Sequence, residues 1–334
     1  MLVADSLRNH CELVDVWLER LPQVDEFPLI SHPRYFAHDE SQYDTQYQIQ
    51  PSDLQSGHGL IGMLRSIGAY FHGPALEIGC GTGVMSTGLV QAGAFPLTLI
   101  TDPSPAFLKI TARKLALASH TSPKPVLAVL DGNDVDRLPA DTFMLIAMRS
   151  TLHHISDVQR FLAAASRALA PGGRLVCWEP CHEAMVTMGA LACYMVPCLQ
   201  AAGYALSPDE QEKIDYFVAT MRYYCRRDID KTDAEDKHTF RIDELMRDCR
   251  NVGLALDFMP NLELEQFTLT GKLNQWNTSF VKFFGSYLRY CVTFPAPLLA
   301  ALEQHFLPRC QFLDDIGRSG TPVYTHGIFV ARKD

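Results

Sequence analysis

Between residues 74 and 180, short and continuously apolar runs alternate with longer runs whose apolar residues recur every three or four positions. "PALEIGC" leads into "VMSTGLVQAG", "LTLITD" into "AFLKITARKLALAS", and "FMLIAM" into "VQRFLAAASRALA"; "PVLAVLD" stands ahead of the third pair and "RLVCWEP" closes the series after Pro171-Gly172-Gly173. Short apolar runs read as strands, and the wider spacing reads as amphipathic helices. Strands apolar at every position must be covered on both faces. Such an alternation folds as right-handed βαβ units, with a parallel sheet between two helical layers. The expected class is α/β.

Outside this series the rhythm changes. Residues 1–73 read as an N-terminal helical arm or cap: an amphipathic helix over 1–20, an irregular stretch over 21–52, and a helix over 52–71 with Ser52 as its N-cap. Residues 181–238 read as a helical lid insertion, uncharged at first and then dense in mixed charge ("CRRDIDKTDAEDKH"). The charge run at 228–238 reads as a solvated turn or lid edge. Residues 239–334 return to the core pattern, with helix "RIDELMRDCRNVG", strand "LELEQFTL" and a closing strand "VYTHGIFVARK", around a second helical insertion at about 271–317.

Composition removes several function classes. The chain has 334 residues and a formal net charge of −9 with no long basic run, which argues against nucleic acid as a partner. Ten cysteines are scattered without a CxxC pair. "CWEPCH" (Cys177, Cys181, His182) lacks a matching second cluster, so structural thiols are expected and no metal. The first residues, "MLVADSLRNHCELVDVW", carry early acids and no apolar signal-peptide core, so a cytoplasmic protein is expected. Residues 184–208 hold no charge and are long enough to span a bilayer. Thr187, Pro197, Gln200 and Gly203 interrupt them and no basic flank follows, which favours a buried or lid-forming helix pair over a stable span.

The stretch "ALEIGCGTG" (75–83) carries the most chemistry. A strand runs into Gly79-Cys80-Gly81-Thr82-Gly83 and then a helix. Glycines there permit a tight turn and close approach of a ligand, and free N–H groups at the helix start favour an anionic group. The dinucleotide fingerprint needs a third glycine where Val84 or Ser86 stands, so both frames fail. No Gly-Lys-Ser/Thr follows, so the loop is no Walker motif either. Acids close the next two strands: Asp102 in "LITDPSPAFLKIT" and Asp131 in "VLDGND".

Glu77 two places before Gly79, the Gly-x-Gly-x-Gly loop, and the acids Asp102 and Asp131 together resemble class I S-adenosylmethionine-dependent methyltransferases. "DRLPADTFMLI", "LHHISD" and "APGGRLVCWEP" match the same family in kind, and the resemblance spans about 74–180. It implies a Rossmann-like, seven-stranded, mostly parallel sheet with helical cap insertions, its last strand inserted antiparallel near the edge. It implies S-adenosyl-L-methionine as cofactor. The backbone of Gly79, Cys80, Gly81 and Gly83 would receive the methionine carboxylate, with Glu77 orienting the loop and the amine end. Asp102, followed by Pro103 and Ser104, would accept from the ribose hydroxyls. Asp131 would meet the adenine amino group, with Gly132 and Asn133 shaping the pocket. Arg149 belongs to the same cofactor set. "SQYDTQY" (41–47) resembles a segment that covers the cofactor in these enzymes, with Tyr43 or Tyr47 touching it.

The fourth strand ends in "RSTLHHISD" beside the expected methyl. The Asn/Asp-Pro-Pro-aromatic motif of amine methylases is absent, and similar "LHH" sequences occur in enzymes that methylate small-molecule oxygen or carbon. A histidine near pKa 6.5 suits removal of a hydroxyl proton. His153 is the first choice for this base, His154 lines the cofactor pocket, and Glu179 is the second polar group of the catalytic set. Either histidine could instead cap or pack under the next helix. The helical insertions carry Met185, Met188, Tyr194, Tyr204, Tyr216, Phe217, Tyr223, Trp276, Phe280, Phe283, Phe284 and Tyr287, which suit an acceptor pocket, a helical core or a homodimer face alike. The expectation is methyl transfer to a small, fairly apolar metabolite, at oxygen first, with carbon and nitrogen open. A non-catalytic cofactor-binding partner and a dehydrogenase are the rival readings.

Overall fold

The computed structural model describes residues 2–34, 43–45, 51–117, 125–260, 279–318 and 323–334. Helix α1 (Leu2–Glu19), a β1–β2 hairpin (Gln23–Val24, Phe27–Pro28) and helix α2 (Pro51–Ser66) precede the core. The core runs β3 (Ala75–Ile78), α3 (Val84–Gln91), β4 (Thr98–Asp102), α4 (Pro105–Leu117), β5 (Val126–Val129), β6 (Phe143–Arg149), α5 (Val158–Ala168) and β7 (Leu169–Pro180). Helices α6 (His182–Ala192), α7 (Met195–Ala201) and α8 (Pro208–Cys225) follow, then α9 (Ile242–Asn251) and β8 (Leu254–Pro260). Helices α10 (Phe280–Tyr290), α11 (Ala296–His305) and α12 (Gln311–Arg318) lead to the last strand, β9 (His326–Lys333).

Seven strands form one sheet in the order β5-β4-β3-β6-β7-β9-β8. All pairs are parallel except those of β9, which lies antiparallel between β7 and β8. The fold is the expected Rossmann-like, mostly parallel seven-stranded sheet. Strand β6 shows why its sequence is apolar throughout. Leu145 and Ala147 pack with Leu60, Met63 and Leu64 of α2 and Leu89 of α3. Ile146 and Met148 face the other way, into the layer built by Val14 and Leu18 of α1, Phe161 and Leu162 of α5, and Leu245 of α9. The chain order reverses between β3 and β6, so the crevice at their carboxyl ends is the ligand position in such a sheet.

The arm of residues 21–52 is not wholly irregular: a tight turn with Asp25 at φ 53° makes the β1–β2 hairpin. Strand β8 begins directly after Gly253, whose φ of 76° ends α9, and pairs with β9 from Leu254 to Pro260. The stretch "LELEQFTL", read from sequence as that strand, lies outside the described residues, as do Tyr47 and Trp276.

The insertions form a second core. Met185, Met188, Met195, Leu199, Phe217 and Met221 pack with Phe280, Phe283, Phe284, Leu288 and Phe306, all buried, with Tyr204 and Tyr287 against them. The insertion residues named from sequence thus mainly fill this cap, while Tyr194, Tyr216 and Tyr223 are exposed. No single helix among the described residues is long and apolar enough to cross a membrane; α6 and α7 are bent by 43° against each other, and both contribute buried residues to the cap. All ten cysteines are free thiols, with Cys177 and Cys181 buried in the main core.

Candidate active site

Strand β3 delivers the glycine turn to the crevice. Gly79, Gly81 and Gly83 have φ of 71°, 53° and 86°, the left-handed region that other residues enter only with strain. At Gly79 there is a second constraint, because a Cβ would collide with the side chain of Thr151. The turn is closed by the Gly83 N–H donating to the Cys80 carbonyl at 2.9 Å. Asp102, at the end of β4, accepts from the Gly81 N–H and the Ser104 N–H, both at 2.9 Å. Turn and carboxylate are therefore one unit, and each carboxylate oxygen keeps acceptor capacity for further donors.

A cavity of about 440 Å³ opens at these strand ends. Its walls bring together Gly79, Gly81, Asp102, Pro103, Asp131, Gly132 and Asn133 from the sequence-derived cofactor set, with Tyr43 and His154. Tyr43 lies over Gly81, with its ring 5.0 Å from that of Phe107, and Asp44 ties the segment to Lys114 of α4. Loss of water, then the charge of Asp102, pushes the Tyr43 hydroxyl up to about 12, so it is a neutral group at physiological pH. Glu77, Cys80, Gly83, Ser104 and Arg149 do not line the cavity. Cys80 points into an apolar cluster with Phe27, Val90 and Leu108. Ser104 Oγ caps α4 through the Phe107 N–H, and the Arg149 guanidinium lies 4.7 Å from the Trp178 ring.

Asp131 is more engaged than its sequence suggests. Its Oδ1 accepts from the Asn133 backbone and side-chain amides at 2.9 and 2.8 Å, and its Oδ2 pairs with Arg34 from the N-terminal arm. Arg34 also lines the cavity and was not singled out in the sequence, because a lone arginine in an arm carries no motif.

Around the turn, Thr82 Oγ1 is a buried polar atom with no hydrogen-bond partner among the described residues, while the buried Ser86 hydroxyl acts on the Glu77 carboxyl. Unpartnered buried polar atoms are rare in native interiors. Loss of water pushes both Glu77 and Asp102 up to about 7. The desolvated Asp102 carboxyl in the cavity wall, with the Glu77 carboxyl behind the turn, suits a ligand that brings a cation and hydroxyl donors. S-adenosylmethionine has both, in its ammonium and sulfonium centres and its ribose, so these residues fit it.

The second half of the site follows β6. Ser150, at φ 51°, turns the chain sharply, and its N–H donates to the Trp178 carbonyl. A short 3₁₀ turn, Leu152–His154, comes next. Glu179, fully buried at the end of β7, holds that turn: Oε1 accepts from the Thr151 and Leu152 N–H groups at 2.8 and 2.6 Å, and Oε2 contacts His153 Nδ1 at 2.6 Å. His153 Nε2 lies 3.3 Å from Asp236 Oδ1. Both ring nitrogens of His153 thus face carboxylates. Burial opposes its charge, but Glu179 and Asp236 outweigh that and hold the imidazole up to about 10.

His154 is in the opposite condition. Its Nδ1 lies 2.9 Å from the Glu235 carbonyl, which can only accept, so Nδ1 carries the proton and Nε2 the lone pair. Burial, then the neighbouring His153 cation, lowers its pKa below 6.5. His154 lines the cavity and His153 does not.

The charge run read as a solvated turn or lid edge closes over this corner. The Lys237 and His238 N–H groups donate to the His153 carbonyl at 2.9 and 3.3 Å, and His238 Nε2 donates to the Ile155 carbonyl at 2.8 Å. Thr232, Asp233, Ala234, Glu235 and Lys237 form one cavity wall. The run is a structured lid edge, and Asp236 within it is a site residue the sequence reading missed. Only an acid's placement against a histidine far away in sequence reveals it.

Residues 76–175 match the family described as "Methyltransferase domain". A demethylmenaquinone methyltransferase of Tropheryma whipplei is 30% identical over 131 residues, covering 39% of this chain and 52% of that protein. A reducing polyketide synthase, Preu2 of Preussia isomera, is 32% identical over 120 residues, covering 35% of this chain and 5% of that protein. The chain thus spans about half of one relative and a small part of the other. Among solved structures, phosphoethanolamine N-methyltransferase 2 of Haemonchus contortus, in complex with phosphomonomethylethanolamine and S-adenosylhomocysteine, is 15% identical with a TM-score of 0.44, over 82% of this chain and 52% of that one. Residues 76–175 of this chain are thus similar to a methyltransferase domain, and the residues around its glycine turn fit S-adenosylmethionine as cofactor.

Proposed function

We propose that the chain transfers a methyl group to a hydroxyl oxygen of a small-molecule acceptor, with His154 as the proton acceptor. The observation that carries this reading is that Gly79, Gly81, Asp102, Asp131 and His154 all line one cavity. S-adenosylmethionine supplies the electrophilic methyl. A hydroxyl attacks poorly until its proton leaves, and a neutral imidazole beside it contributes ~10²–10⁴-fold. The order of the two histidines is the reverse of the sequence expectation. His153 is an ion-paired imidazolium with both nitrogens engaged, and it has no free lone pair to take a proton. Its part is structural and electrostatic: it joins Glu179 to Asp236 and keeps the neighbouring His154 neutral.

Of the three roles open to them from sequence, the buried methionines and phenylalanines of the insertions pack against one another as a helical core. The test is incubation of the full chain with isotopically labelled S-adenosylmethionine and metabolite extracts, followed by mass analysis. A product one methylene heavier, lost in His154→Gln, supports the reading. A product formed at the wild-type rate by that variant contradicts the assigned base.

A further inference from the structure

Beside the first cavity lies a second, of about 270 Å³, and the two share Thr232 and Lys237 in their walls. Its lining carries Arg226, Arg227, Lys231 and Lys237 against a single acid, Asp230, in a chain of net charge −9. Arg226 is paired with Asp228, and Arg227 with Glu244. Asp230 is occupied in holding the lid, accepting from the Thr232 N–H and hydroxyl at 2.9 and 2.7 Å. The two lysines form no direct ion pair of this kind, although Asp228 and Asp236 act on Lys231, and Asp236 on Lys237, from a greater distance. Lys231 is only 9% exposed; its ammonium donates to the Tyr224 carbonyl at 2.6 Å and lies 5.9 and 5.7 Å from the rings of Tyr223 and Tyr224. The Lys237 ammonium donates to the Ala234 carbonyl. Among the described residues neither ammonium forms an ion pair with a carboxylate.

Lysine is almost never buried unpaired. A carbonyl and two ring faces offset part of the cost of burial, yet neither cancels the charge. A cavity walled by two ammonium groups without a directly paired carboxylate is suited to a doubly charged oxyanion, where a carboxylate would match only one of them. Building on the methyl-transfer reading above, we propose that this cavity receives a phosphate-type group carried by the acceptor, with Lys231 and Lys237 as its partners. The reacting hydroxyl then lies across the Thr232–Lys237 partition, on the His154 side.

The test uses the full chain and calorimetry with inorganic phosphate, phenyl phosphate and phenol. Phosphate is expected to bind at one site, and phenyl phosphate about tenfold or more tighter than phosphate or phenol, because the ring reaches past the partition. Lys231→Met and Lys237→Met each weaken both phosphates by about tenfold or more, while Lys231→Arg stays within roughly threefold. S-adenosylhomocysteine affinity is unchanged in Lys231→Met, whose side chain lines only the second cavity. Absence of phosphate binding by protein that binds S-adenosylhomocysteine overturns the proposal, and so does phosphate affinity at the wild-type level in either methionine variant. Phenyl phosphate binding no tighter than inorganic phosphate overturns the acceptor assignment in favour of a free anion. Failure to bind S-adenosylhomocysteine contradicts the methyl-transfer reading instead, and the phosphate measurements distinguish the two failures.

Discussion

At the scale of single residues, the adjacent histidines are separated by what each ring nitrogen meets. His154→Gln should lower turnover by ~10²–10⁴-fold while donor affinity holds, measured by steady-state rates beside calorimetry. The same base must be unprotonated to act. Turnover should therefore fall as pH drops through the lowered His154 pKa, below 6.5, and level off above it. His153 has the opposite signature in stability. Its native pKa is raised to about 10 from 6.5, so its contribution is full below 6.5 and is lost as pH rises toward 10. Asp236→Asn removes one of its two carboxylates, and its stability deficit against the wild type should shrink across that range in chemical denaturation. Glu77 has the reverse sign to an ordinary salt-bridged acid. With a native pKa near 7 against 4.5, it binds more protons folded than unfolded, so it destabilises the ligand-free protein as pH rises from 4.5 through 7. Glu77→Gln should gain on the order of 1–3 kcal/mol at pH 8 relative to wild type, and little at pH 4.5.

At the scale of elements, the glycine turn is held by a neighbour from another strand. Gly79→Ala meets Thr151 and must also leave its left-handed backbone, so donor affinity should fall about tenfold or more while the sheet remains folded by circular dichroism. This turn was legible in the sequence because its signals are local: Glu77, three alternate glycines, and acids at the next two strand ends. Parallel strands buried on both faces were legible too, because burial shows directly as runs such as "FMLIAM". For the charge run, sequence left a solvated turn and a lid edge both open. Charge at 228–238 is compatible with either, and only the hydrogen bonds from Lys237 and His238 to the His153 carbonyl show the segment seated on the histidine turn. Nor was the roster of the sheet complete, since Leu254–Pro260 is a short mixed run that gains its identity from pairing with β9. Glu179 was noted for its position, but its three donors come from a turn some 27 residues earlier, which spacing cannot reveal.

At the scale of the whole molecule, the chain has two cores with different tasks. The sheet presents the glycine turn and strand-end acids, and the insertions build an aromatic and methionine-rich cap around Phe284, which is fully buried. Phe284→Ala should cost about 3–5 kcal/mol locally. Limited proteolysis should then cut the cap helices first, with S-adenosylhomocysteine affinity changed little, because no residue of that cluster lines the first cavity. The central claim is that the described cavity, not merely the fold, takes S-adenosylmethionine or its demethylated product. Isothermal calorimetry of the full chain with S-adenosylhomocysteine tests it most directly, with Asp102→Asn as the matched control. One site per chain, weakened about tenfold or more in the variant, is the result expected; no heat from folded protein, or equal binding by both proteins, contradicts it.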